Sequence, residues 1–217
     1  IIEVLTDRLG MASHLDGVII CTTTLPGDDA IEEFCNKKGI MCHRGEVENV
    51  MGRFLGAIEK MPSEYVARIT GDNPLSDFEN MKLAFEHMKA NNGDYSRPVG
   101  IPLGTACEII REDGLKELNQ RTVSHDLTEY MTWFFEMAPF IKKILYEVEE
   151  KYRMPDLRLT IDYKSDLEFM DSIFKHFNGD MGSLDQIIAY CKGLNDFPRV
   201  VNDPKAMAEI KSRIKFI

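Results

Sequence analysis

The chain has 217 residues, 44% of them hydrophobic and 29% charged, which suits one large globular domain or a domain with an arm. A formal net charge of -10 argues against a protein that tracks a nucleic-acid backbone, because such proteins need basic stripes to displace counterions. No apolar run reaches a membrane span and no signal-peptide pattern opens the chain; five scattered cysteines (Cys21, Cys35, Cys42, Cys107, Cys191) without CxxC spacing suit reduced thiols in a cytoplasmic protein rather than structural zinc.

Ile1 to Leu9 read as an amphipathic helix in mid-course. An α/β domain that opens on a helix lacks the strand that should feed it, so residues before Ile1 are expected. Leu15 to Thr24 form a short continuous apolar run ending in threonines, the pattern of a buried parallel strand. Leu25 to Asp29 are a loop, with Asp28 or Asp29 placed to cap a helix over Ala30 to Lys38 that Gly39 ends. A short strand follows over Ile40 to Gly45, then a helix from Val47 to Lys60. Val66 to Leu75 form a β-rich run that ends in Gly71-Asp72 and is stopped by Pro74.

Asp77 opens a helix to about Asn91, Asp94 to Ser96 begin a strand, and Arg97 to Gly104 are a loop rich in Pro and Gly. Thr105 to Ile110 are a strand leading into a helix. Ser124 or Asp126 is placed to cap a helix through Phe135. Pro139 to Val148 and Leu157 to Asp162 read as strands, and Ser165 caps a helix to about Phe177. Ser183 to Ile217 are a final helix-loop-helix region. This alternation predicts an α/β fold with a mostly parallel central sheet and helices on both faces. It divides the chain into a main domain over 1–177 and a C-terminal helical extension over 178–217.

The chemistry centres on two carboxylates. Asp72 sits at a strand end, where ligands collect at the carboxyl edge of an α/β sheet, and Asp162 repeats that placement. With no Cys/His cluster beside them, the pair suits a hard, oxygen-seeking cation such as Mg²⁺ holding a substrate phosphate. The competing readings are a helix N-cap for Asp72 and a turn cap before Lys164 for Asp162. Arg158 alternates with Leu157 and Leu159 and points to the opposite face, to grip an anion or to make a salt bridge over the sheet. Arg68 carries the same two readings. Glu108 lies on a strand of small and apolar residues, where an unpaired carboxylate is costly, so it needs a sugar hydroxyl network or an internal arginine. His125 stands at a helix start as an acceptor contact or a capping group.

Arg68-Ile69-Thr70-Gly71-Asp72-Asn73-Pro74-Leu75, followed later by Leu157-Arg158-Leu159-Thr160-Ile161-Asp162, resembles the cytidylyltransferase-like family of spore-coat polysaccharide biosynthesis protein F. More distantly it is similar to acylneuraminate and 3-deoxy-manno-octulosonate cytidylyltransferases. Thr22-Thr23-Thr24 with Gly27-Asp28-Asp29, Arg44-Gly45-Glu46, and Gly104-Thr105-Ala106-Cys107-Glu108 extend the resemblance over roughly Ile1 to Phe174. It implies a nucleotide-diphospho-sugar transferase (Rossmann-like) fold. It also implies attack by a sugar acid or sugar phosphate on the α-phosphorus of a nucleoside triphosphate, probed first with CTP, releasing pyrophosphate. The roles it implies are Mg²⁺ on Asp72 and Asp162, Thr22 and Thr23 near the nucleotide, and Glu108 towards the sugar; Arg68 is added as a nucleotide-side candidate, and Thr105 and His125 as sugar-side candidates. Arg158 completes the catalytic set.

The family opens with a strand and a phosphate-binding loop that this chain does not show before Ile1. The apolar run Met131 to Met137 with Trp133 is read as core or, by the resemblance, as a homodimer contact. Two other functions stay open on the sequence. A glycosyltransferase of related fold normally places its metal on Asp-x-Asp, whereas Gly71-Asp72-Asn73 offers one carboxylate. A degenerate, non-catalytic binding domain is the other.

Overall fold

A computed structural model describes residues 1–217. The chain runs α1 (Ile2–Leu9), β1 (Ile19–Thr23), α2 (Asp29–Lys38), β2 (Met41–Gly45), α3 (Val50–Lys60), β3 (Tyr65–Arg68), α4 (Phe78–Ala90), β4 (Tyr95–Ser96), β5 (Pro98–Val99) and β6 (Glu108–Arg111). It continues through α5 (Glu112–Arg121), α6 (Met131–Met137), β7 (Tyr146–Glu147), α7 (Lys164–His176), α8 (Leu184–Lys192) and α9 (Pro204–Arg213). No helix is long and apolar enough to cross a membrane.

The local signals account for many of these boundaries. Asn49 caps α3 by accepting from the Gly52 N–H at 2.8 Å, and Asp77 caps α4 by accepting from the Asn80 N–H at 3.0 Å. Gly39 ends α2 in the left-handed region at φ 69°, which a side chain rarely adopts.

The single, mostly parallel central sheet expected from the alternation is not what forms. Three small sheets replace it: a parallel β1–β2 pair, an antiparallel trio in the order β3–β6–β4, and a parallel β5–β7 pair. Helices do flank the trio on both faces, because β6 alternates its side chains. Ile110 joins a core with Met51 and Ile58 of α3, Leu115 and Leu118 of α5, and Phe134 and Phe135 of α6. Ile109 joins Met81, Ala84 and Met88 of α4 on the opposite side.

Two expected strands are mostly absent as ladders. Leu157 to Asp162 is extended, but its amides serve three different neighbours. Leu159 donates to the Leu103 carbonyl (2.7 Å), Arg158 to Pro198 (2.9 Å) and Ile161 to Asp72 (3.0 Å). Prolines 74, 102 and 198 lie beside these contacts and offer no N–H for a continuous ladder. The expected strand over Pro139 to Val148 shrinks to Tyr146–Glu147, with Ile144 joining it by donating to the Tyr95 carbonyl at 2.9 Å.

The expected caps shift too. Asp28 makes no helix-capping hydrogen bond. Neither Ser124 nor Asp126 caps a helix, since α6 starts after a short turn at Thr128–Tyr130. The amides at the start of α7 are met by Asp166 rather than Ser165, its carboxylate accepting from the N–H groups of Asp162 and Tyr163 at 2.9 Å each.

Gly104 is required where it stands. Its φ is +91°, and an added Cβ would lie 2.6 Å from the Thr160 nitrogen and 2.7 Å from the Leu159 carbonyl. That close approach presses the Gly104 turn against the segment carrying Arg158 and Asp162. Behind it, Leu157 and Leu159 share a core with Ile173 of α7 and with Leu184, Ile187 and Ile188 of α8.

Candidate functional site

A cleft of about 350 Å³ opens over the trio sheet, lined by Arg68, Thr70, Asn73, Arg97, Glu108 and Thr132 together with the Gly100–Gly104 turn. Arg68 and Glu108 are register partners across β3 and β6, which puts their side chains on one face. The Arg68 guanidinium is ion-paired to Glu108 Oε2, and the Tyr95 hydroxyl donates to Glu108 Oε1. Their side chains are 12% and 6% exposed, so the pair is largely removed from water. Of the two partners open to Glu108 on the sequence, an internal arginine is therefore present.

Arg68 also reaches the Glu129 carbonyl at 3.3 Å and the Thr132 hydroxyl at 3.5 Å, tying the 128–130 turn to the cleft wall. Tyr95 stacks on Phe135 with ring centroids 4.6 Å apart. Burial, reinforced by the Glu108 carboxylate, holds its hydroxyl protonated well above the usual phenol range, so it serves here as a donor.

Asp72 lies in sequence between the cleft-lining Thr70 and Asn73 but does not itself line the cleft. It does not cap a helix, because Asp77 takes that role for α4. The turn at Gly71 needs none of glycine's freedom, since Gly71 is not at positive φ and a Cβ there would meet open space. The Asp72 carbonyl accepts from the Ile161 N–H, which joins this turn to the residue before Asp162. Asp72 Oδ1 is shielded from water yet has no hydrogen-bond partner. That oxygen is the kind of hard donor that a cation or a ligand hydrogen could engage.

Asp162 does not cap the turn either. Its carboxylate accepts from Arg158 Nη2 at 2.5 Å, and the same guanidinium is held by Asp166, from Nη2 at 3.0 Å and from Nε at 3.3 Å. The Arg158 side chain is therefore ion-paired to two carboxylates. Asp166 is pulled below the ordinary carboxylate range first by Arg158 and then by the two backbone N–H groups it accepts from. No group of three or more His, Cys, Asp or Glu is arranged to hold a metal ion. A cation on Asp72 and Asp162 would need further oxygens from substrate and water, the usual manner of holding Mg²⁺.

The threonine end of β1 is organised by Asp28. Its carboxylate accepts from the Thr22 hydroxyl (2.8 Å), the Thr23 N–H (2.9 Å) and the Thr23 hydroxyl, and these bonds lower its pKa. Arg44 braces the same loop, donating to the Thr23 and Leu25 carbonyls at 2.8 Å each. Thr105 is buried and donates its hydroxyl to the Pro102 carbonyl at 2.8 Å, shaping the turn without facing the cleft. His125 lies outside the cleft lining, with Nε2 3.0 Å from Asn119 Oδ1. In the apolar run, Met131, Phe134 and Phe135 are buried, while Trp133 stacks on Tyr130 at 5.0 Å and lies under Lys211.

Sequence reasoning missed Tyr95, Arg97, Thr132 and Asp166. For Asp166 a signal existed, since an acidic residue at the third position of a helix is half of a capping box. Arg97 carried none, because it lies in a loop with no periodicity to orient it.

This is the architecture of an α/β enzyme, with a polar cleft walled by an antiparallel sheet and two aspartate-bearing turns joined to each other. The chain belongs to the Cytidylyltransferase family, whose model matches residues 1–193. It is similar to an uncharacterized protein of Methanocaldococcus jannaschii, 32% identical over 203 residues that cover 93% of this chain and 82% of that protein. It is also similar to the spore coat polysaccharide biosynthesis protein SpsF of Bacillus subtilis, 29% identical over 162 residues, 74% of this chain and 68% of that one. A solved cytidylyltransferase from Leptospira borgpetersenii shares the fold at TM-score 0.76 and 24% identity, over 88% of this chain and 82% of that chain.

Proposed function

We propose that this cytidylyltransferase couples CTP to a sugar acid or sugar phosphate, releasing pyrophosphate, in surface polysaccharide or glycan synthesis. The observation that carries the reading is the joining of the Asp72 and Asp162 turns through the Ile161 N–H, with Asp72 Oδ1 left unpartnered. Similarity to a spore coat polysaccharide protein supports the sugar end of the reaction.

In this reading an acceptor oxygen attacks the α-phosphorus, the bond to the bridging oxygen breaks, and pyrophosphate departs with its electron pair. The barrier is chiefly one of position and charge, so the protein's task is to hold the reactants in line. Mg²⁺ on Asp72 and Asp162 would neutralise charge on the phosphate oxygens. Asp28 and Arg44 fix the Thr22–Leu25 loop where the nucleotide is placed. Arg68, Glu108 and Tyr95 give the acceptor cleft a rigid wall. Arg158, locked by Asp162 and Asp166, sets the position of the Asp162 carboxylate.

The test is a calorimetric titration with CTP, GTP, UTP and ATP, each with and without Mg²⁺, followed by pyrophosphate release on adding sugar acids and sugar phosphates. Mg²⁺-dependent binding of CTP alone, with pyrophosphate released on adding one acceptor class, is the expected result. Binding of a nucleoside-diphosphate sugar with silence towards all triphosphates would overturn it.

A further inference from the structure

Every guanidinium that borders the cleft already has its own carboxylate. Arg68 is paired with Glu108, and Arg97 Nη2 with Glu136 Oε1 at 2.7 Å. Arg153, which an added Cβ on the cleft-lining Gly100 would strike at 2.8 Å, is paired with Glu147 at 2.8 Å. No lysine lines the cleft. The pocket is thus rich in hydrogen-bonding groups but has no uncompensated positive charge.

Its remaining polar groups are neutral. The Thr70 hydroxyl accepts from Asn73 Nδ2 at 2.6 Å and keeps its own proton to donate. Thr132 is in the same position towards Arg68. Asn73 Oδ1 is shielded from water and has no partner, which leaves one end of that amide unsatisfied. Ile101, Pro102, Ala106 and Val200 add an apolar surface of the kind that meets the C–H face of a sugar ring.

An anion entering such a pocket loses its hydration and meets pairs already neutralised, one member of each being a carboxylate that repels it. A hydroxyl meets donors and acceptors without that cost. We propose that this cleft receives the uncharged, hydroxyl-bearing part of the acceptor sugar, read by Thr70, Asn73 and Thr132, and discriminates against a carboxylate or phosphate placed there. This rests on the nucleotidyl-transfer reading and narrows it: the acceptor's acidic group lies outside the cleft, on the side of the nucleotide.

The experiment titrates the full chain, with and without CTP and Mg²⁺, with matched pairs that differ only at the sixth carbon: glucose against glucuronate, galactose against galacturonate, mannose against mannuronate. At least one uncharged sugar is expected to bind about tenfold tighter than its uronate. Glu136→Gln, which leaves Arg97 unpaired, is expected to shift that ratio towards the uronate by about tenfold. Asn73→Ala is expected to weaken the sugar about fivefold and CTP less.

Tighter binding of the uronates by the unmodified chain overturns the proposal, and so does silence towards both series. Equal loss of sugar and CTP in Asn73→Ala would make Asn73 a support for the Asp72 turn and remove its reading role. CTP binding with both series silent sinks this inference alone. Sugar binding without CTP binding sinks the nucleotidyl-transfer reading and leaves the cleft assignment standing.

Discussion

Arg68 and Glu108 face each other across β3 and β6 as register partners, and their ion pair is the most buried in the protein's cleft. A buried pair contributes little net stability, but breaking it from one side strands a charge. Glu108→Gln leaves Arg68 without its counter-charge and is expected to cost about 3 kcal/mol. Adding Arg68→Met to that variant should recover part of the loss. Urea unfolding of the two single variants and the double variant measures the coupling, and strictly additive losses would mean that the pair does not act as a unit.

Asp166 predicts a pH dependence of stability. Its folded-state pKa is depressed by Arg158 and by the N–H groups of Asp162 and Tyr163. The sign follows from linkage: stabilisation is fully present above the unfolded aspartate value of about 3.9 and is lost as pH falls through the folded value. Asp166→Asn should therefore be less stable than the unmodified chain at neutral pH, and the gap should begin to narrow only below about pH 4, closing as pH falls past the folded value. Thermal melts across that range decide it, and a difference independent of pH would remove the electrostatic cause.

These two carboxylates show what the sequence could disclose. Asp72 and Asp162 stand out as candidates because each ends a strand-like run, and local periodicity points to the edge where such a run stops. Glu108 was legible as a buried charge in need of a partner, though not which partner, since that depends on the antiparallel register of strands some forty residues apart in sequence. Asp166 was hidden behind Ser165, which looked the better cap by residue type. The sheet departs from the expected parallel order for a related reason. Regular alternation of strand and helix suggests parallel crossovers, yet β6 returns antiparallel to β3, and nothing local to either strand encodes that direction. Leu157 to Asp162 has the composition of a strand, but its amides are divided among Leu103, Pro198 and Asp72.

Gly104 carries the contact between the cleft turn and the segment bearing Arg158 and Asp162. Gly104→Ala combines a left-handed backbone with a Cβ 2.6 Å from the Thr160 nitrogen, where only backbone can give way. The expected cost is about 2–4 kcal/mol, with a displaced Arg158 segment and weaker acceptor binding. Chemical denaturation together with amide exchange at Leu159 and Ile161 checks this. Unchanged protection at both amides would show that the turn relaxes elsewhere.

Asp72 separates function from stability most sharply. Its main-chain carbonyl holds the Ile161 N–H, and a substitution leaves that bond in place. Its side chain keeps one buried oxygen unpartnered, a polar atom whose lost hydration no other protein group replaces. Asp72→Asn removes the carboxylate charge at nearly constant shape, so the fold should be about as stable as before. Mg²⁺-dependent turnover should fall by about a hundredfold or more, because the group offered to the cation is gone. Thermal melts with and without Mg²⁺, alongside pyrophosphate release, read both quantities on one sample. A variant that keeps near-normal turnover would move the metal site away from Asp72, whereas one that loses turnover and stability together would make Asp72 a structural residue of the turn.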